Sequence, residues 1–111
     1  MAYSVIFAQS VKDQLQSMTA TQRKTLLEAI EQQLTQEPLV ETRNRILLRP
    51  NPVAPWELRV GPLRVFYEVV ATPESQPIDP GSEHQQGVVQ ILAVGQKRGN
   101  ELRIAGKKIE L

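Results

Sequence analysis

The chain has 111 residues, 41% of them hydrophobic, and no cysteine. That suits one small domain spanning residues 1–111 and excludes disulfide staples, a zinc–thiolate centre and a thiol nucleophile. Thirteen Lys and Arg against twelve Asp and Glu leave a net charge of +1, so any argument for a polyanionic partner must come from where the charge sits.

Tyr3 to Ala8 is short and β-rich and opens the chain as a strand. Ser10 followed by Asp13 predicts a helix start, with Val11, Leu15 and Met18 on its apolar side. Thr19 and Gln22 form a second capping-box signature, opening a helix that runs to about Gln36 before Pro38. Its stripe is Leu26 or Leu27, Ile30 and Leu34. Two amphipathic helices with almost no loop between them make an αα-hairpin that must bury its stripes against something.

Arg45 to Arg49 predicts a short strand, and the proline-rich Pro50 to Pro55 interrupts regular pairing. Trp56–Val60 and Leu63–Val69 are alternating strands joined by Gly61-Pro62. One face carries Trp56, Leu58, Val60, Leu63, Val65, Tyr67 and Val69; the other carries Glu57, Arg59, Arg64, Phe66 and Glu68. A two-residue turn places Arg59 opposite Arg64, where like charges cost roughly 0.2–1 kcal/mol. An anionic ligand gives a reason for that pairing, and two guanidinium groups beside an aromatic ring suit phosphate and nucleobase. Packing of Trp56 on Tyr67 across the strands is expected as core.

Residues 71–87 are rich in Pro, Ser, Gln and acids and predict a long mobile loop; it holds His84, the sole histidine, which reads as exposed and idle. Val88 to Gly95 is apolar on both faces, the mark of a central strand, and it runs into a basic turn at Lys97-Arg98. Leu102 to Ile104 and Lys108 to Leu111 predict a terminal hairpin. Strand, two helices, then several strands make an α+β domain. The five arginines between Arg43 and Arg64 face only Glu57, so basic charge collects in the strand-rich part. The N-terminus lacks a basic region followed by a long apolar run, and no stretch approaches the ~20 apolar residues of a membrane span. The chain reads as soluble and cytoplasmic.

The opening strand, the helical hairpin, the run Trp-Glu-Leu-Arg-Val-Gly…Arg-Val-Phe-Tyr-Glu-Val and the strand Ile91 to Gly95 ending in Lys97-Arg98 resemble the RelE/ParE superfamily of toxin–antitoxin toxins, more RelE than ParE. The resemblance implies an antiparallel sheet with both helices on one face and a basic surface on the other. It implies a cognate antitoxin as partner, with DNA engaged only indirectly through it. RelE-like members cleave messenger RNA in the ribosomal A site without a metal or cofactor, the ribose 2′-hydroxyl attacking its own phosphodiester. Carried over by position, Arg64 stabilises transition-state charge, and Arg59 and Lys97 bind or polarise the scissile phosphate, with Arg98, Phe66 and Arg103 as RNA contacts.

This sequence departs from that pattern at two places. Glu57 stands where RelE proper has a lysine, and Glu101-Leu102-Arg103-Ile104 lacks the family's aromatic residue. Glu57 is expected as an ion-pair partner of the arginines more than as a base. Two alternatives stay open: a ParE-like inhibitor of DNA gyrase without RNA chemistry, and a member that retains antitoxin binding alone.

Overall fold

The structure, a computed structural model, describes residues 3–71, 87–105 and 107–109. Its order is β1 (Tyr3–Phe7), α1 (Gln9–Gln16), α2 (Ala20–Leu34), β2 (Arg45–Leu47), β3 (Trp56–Val60), β4 (Leu63–Ala71), β5 (Gly87–Arg98), β6 (Glu101–Ile104) and β7 (Lys107–Ile109). The loop expected between Ala71 and Gly87, with His84, lies outside the described residues. No helix among the described residues is long and apolar enough to cross a membrane.

The strands form one sheet in the order β2-β3-β4-β5-β6-β7, antiparallel throughout, with β1 added parallel to β5. β5 is the centre, as its two apolar faces predicted. One of its edges is taken by β4; the other is shared, β1 on Gly87 to Ile91 and β6 on Gln96 to Arg98. In the gap between them the Val94 N–H donates to Gln14 Oε1 at 2.8 Å, so a helix side chain replaces the missing strand partner.

Alternation gives the sheet an inner and an outer face. Val11, Met18, Leu26, Ile30 and Leu34 from the helical segment close on Trp56, Leu58, Leu63, Val65, Tyr67, Val89, Ile91 and Val94 from the inner face. Leu27 is exposed, so Leu26 carries the α2 stripe. Trp56 stacks on Tyr67 with ring centroids 6.0 Å apart, and the buried Tyr67 hydroxyl donates to Pro38 O at 2.6 Å. Burial drives the Tyr67 pKa well above its ordinary value, opposed in part by Arg45.

The α2 capping box forms as expected, Gln22 N donating to Thr19 Oγ1 and Thr19 N to Gln22 Oε1, each at 3.1 Å. The first helix differs: its cap is Ala8, with no side-chain bond, and Ser10 lies in the first turn. The Ala8 N–H still bonds Ile91 O at 2.9 Å, so the strand hands over directly to the helix and leaves no position for a serine cap.

Two further differences bear on function. Tyr67 pairs with Ile91 and Phe66 with Ala93, so Leu92 is an extra residue in β5. This bulge resets the alternation of all that follows. Lys97 and Arg98 are then no turn: both lie in β5, opposite Leu102 and Glu101, and Gly99-Asn100 makes the reversal.

Candidate nucleic-acid interface

The β3–β4 hairpin has the register its sequence dictates, Val60 opposite Leu63 and Arg59 opposite Arg64. Gly61 takes a φ of +58°, a left-handed conformation that a two-residue turn needs and a side chain disfavours. Ion pairing answers part of the like-charge cost. Glu57, flanked by its cross-strand partners Ile46 and Phe66, is only 6% exposed. Its Oε1 accepts from Arg59 Nε at 2.7 Å, which fixes one end of Arg59 while its other nitrogens remain available.

Arg64 is held differently. Its Nη1 donates to Gly61 O at 2.6 Å and Leu63 O at 2.9 Å, folding the guanidinium back over the turn. Its pKa is lowered, first by burial and also by Arg59, while Glu57 opposes the shift. Across the sheet from Arg64 stands Gly95, which has no side chain to crowd it. A Cβ on Gly95 would run into the Arg103 carbonyl and Ile104, so glycine also lets β6 come in close. Two residues beyond Gly95 on the same face is Lys97, whose N–H bonds Pro62 O at 2.7 Å. The outer face therefore carries a row from β5 through β4 to β3: Lys97, Arg64, Arg59.

The expected RNA contacts divide. Phe66 lies on the outer face but is fully buried, covered by Ala54, Ala93, Leu102 and Ile104. A base therefore has no ring to stack on there, and the expectation of Phe66 as an RNA contact is corrected. The loop after β2 supplies the cover, pinned by Asn51, whose Oδ1 accepts from Val53 N and Ala54 N at 2.8 and 3.0 Å. Trp56 is likewise buried, in the inner core. Arg98 and Arg103 share the inner face with Gln96, because the bulge at Leu92 turned that part of β5 over. They line a cavity of about 310 Å³ with Gln14, Ser17 and Met18, and Arg103 pairs with Glu101 at 2.9 Å. The structure does not bring these two to the Lys97–Arg64–Arg59 row.

Two arginines escaped the sequence reading. Arg45, counted among the basic charges, is a structural post: its Nε donates to Val40 O and its Nη1 to Gln33 O and Oε1, all at 2.9 Å, with Glu37 at 3.7 Å. It ties the last turn of α2, where carbonyls lack helical partners, to β2. Arg43 is exposed and joins Arg59 and Arg64 around a cleft of about 500 Å³ at the hairpin end. Its only sequence signal was membership of the arginine-rich segment.

The chain was compared with protein-family models and with curated proteins, and nothing matched. Among solved structures it resembles a chain of the toxin–antitoxin complex RelBE2 from Mycobacterium tuberculosis, at 21% identity and a TM-score of 0.62. The match covers 88% of this chain and 100% of that one. At this identity the likeness shows the fold, which is the RelE-like α+β arrangement expected from the sequence.

Proposed function

We propose that this chain is the toxin of a type II toxin–antitoxin pair and cleaves messenger RNA on the translating ribosome without a metal. The observation that carries this reading is the row Lys97, Arg64, Arg59 on an outer face whose middle is sealed. The fold shared with a toxin–antitoxin complex supports it and supports a cognate antitoxin as partner. The nucleophile, a ribose 2′-hydroxyl, arrives with the substrate, so the protein's task is electrostatic. Arg64, positioned at the centre of the row, stabilises the charge that gathers on the pentacoordinate phosphorane. Arg59, steadied by Glu57, and Lys97 hold the phosphate oxygens on either side.

The test is cleavage of a defined message in a reconstituted translation reaction by the wild-type protein and Arg64→Ala. Removing one preorganised donor to a developing oxyanion costs on the order of 10²–10³ in rate, and a loss of that size is expected. An intact message with wild-type protein present and translation running overturns the reading. A second reading, gyrase inhibition without RNA chemistry, is favoured by one observation: the buried carboxylate of Glu57 on β3 where RelE proper has a lysine. Loss of gyrase supercoiling on adding the protein, with messages intact, would select it.

A further inference from the structure

The cleft at the hairpin end adjoins the row and shares Arg59 and Arg64 with it. Its lining includes Gln33 of α2, Arg43 and Asn44 of the segment before β2, and Arg59, Val60 and Arg64 of the hairpin. Three arginines are among its lining residues and no carboxylate-bearing residue is. A volume of about 500 Å³ falls within the size range of small-ligand sites. The mixture of Leu58, Val60 and amide side chains leaves room for a sugar or base beside the cations.

Arg43 is held at this place by its neighbours, although its own side chain has no partner among the described residues. Thr42 Oγ1 accepts from Asn44 N at 3.2 Å and Arg45 N at 3.1 Å, and Thr42 N bonds Arg45 O at 2.9 Å. The Asn44 carbonyl accepts from Arg59 N at 2.8 Å, locking this turn to the hairpin. Arg45 is engaged in the interior, whereas Arg43, two residues earlier, is exposed and lines the cleft. From Lys97 on β5 to Arg59 on β3 the row crosses two strand spacings, roughly 10 Å. Arg43, in the segment before β2, lies beyond the β3 end of that row, next to the Asn44 carbonyl that holds Arg59 N.

We infer that the cleft binds a second phosphate of a single-stranded RNA, adjoining the one at Arg64, and that Arg43 is the residue that grips it. This rests on the RNA-cleaving reading and gives it a direction: the strand runs across the sheet from Lys97 to the hairpin end and into the cleft. The backbone is read there by charge, with no aromatic ring offered for stacking, so base preference at this position is weak.

The test is the salt dependence of binding between the purified full chain and a short unstructured RNA oligonucleotide, followed by fluorescence anisotropy. Each phosphate neutralised on a single strand contributes a slope of about −0.7 in log affinity against log salt. Arg43→Ala is expected to weaken binding several-fold and flatten the slope by about 0.7. Arg43→Lys should keep the slope, and Lys12→Ala on α1 should change neither quantity. If Arg64→Ala flattens the slope while Arg43→Ala leaves it at the wild-type value, the second phosphate site is overturned and the reading beneath it survives. A flat salt response in the wild type overturns both.

Discussion

On its inner face the sheet meets two helices, and the seal is made by apolar stripes that repeat with the helix and strand periods, Leu26, Ile30 and Leu34 against Leu58, Val65 and Tyr67. On its outer face no helix among the described residues packs. The cover over Phe66 comes from the proline-rich loop through Ala54 and from β6 through Leu102 and Ile104, and it stops short of the hairpin end. One face is closed by the helices except at the Gln96–Arg98 end of β5; the other is closed in the middle and left charged where Arg59, Arg64 and Lys97 gather. A ligand surface here is the part of a sheet that its second cover fails to reach, not a face set aside whole.

The largest expected effect tests whether the outer seal is a core in its own right. Phe66→Ala should cost about 3–5 kcal/mol in chemical denaturation, comparable to the 2–5 kcal/mol of Leu26→Ala on the inner side. If Phe66→Ala instead keeps its stability and loses RNA affinity, the ring is a binding surface and the contrast between the faces fails. Next comes the difference between arginines of the same segment. Arg45→Ala should lower stability by about 1–3 kcal/mol by leaving buried carbonyls unpaired, with the salt slope of RNA binding unchanged. Arg64→Ala should do the reverse, and a stability loss as large as that of Arg45→Ala would erase the distinction.

The smallest effect is a matter of pH. The Tyr67 phenol has a pKa raised by burial, so it keeps its proton in the fold after an unfolded tyrosine, near pH 10, has lost it. Its contribution is complete below about pH 10 and is lost as pH climbs toward the folded value, by up to about 1.4 kcal/mol per pH unit. Unfolding free energies measured across the alkaline range should therefore fall more steeply for the wild type than for Tyr67→Phe. Equal slopes would mean that the hydroxyl is not sealed beneath the helices. At neutral pH the variant should lose about 1 kcal/mol, the worth of the bond to Pro38 O.

What the sequence disclosed was what local rules determine. A two-residue turn and strict alternation allow one register, so the facing of Arg59 and Arg64 and the stacking of Trp56 on Tyr67 were legible. So was the capping box at Thr19. Burial imposed from a distance was not. Phe66 alternates with polar residues and reads as exposed; only the return of the loop after β2 and of β6 conceals it. The bulge at Leu92 leaves no trace in a strand apolar on both faces, yet it decides that Lys97 faces outward while Arg98 and its neighbour Arg103 face inward. Arg45 and Arg43 are chemically identical in sequence, and the end of α2 decides which is spent on structure.

The placement of β1 sets a timetable for assembly. β1 is made before the other described elements, but its partner residues Gly87 to Ile91 stand more than eighty positions later. At a synthesis rate of roughly 5–20 residues per second, the opening segment waits several seconds with its pairing groups unmatched. The β3–β4 hairpin, closed by a two-residue turn, has no such wait. The nascent chain can therefore shape its arginine pair early, but it cannot finish the sheet around it until β5 has emerged. Lys97, near the end of that strand, is made after both arginines of the hairpin, so the full row of cations comes into being only once β5 has joined it.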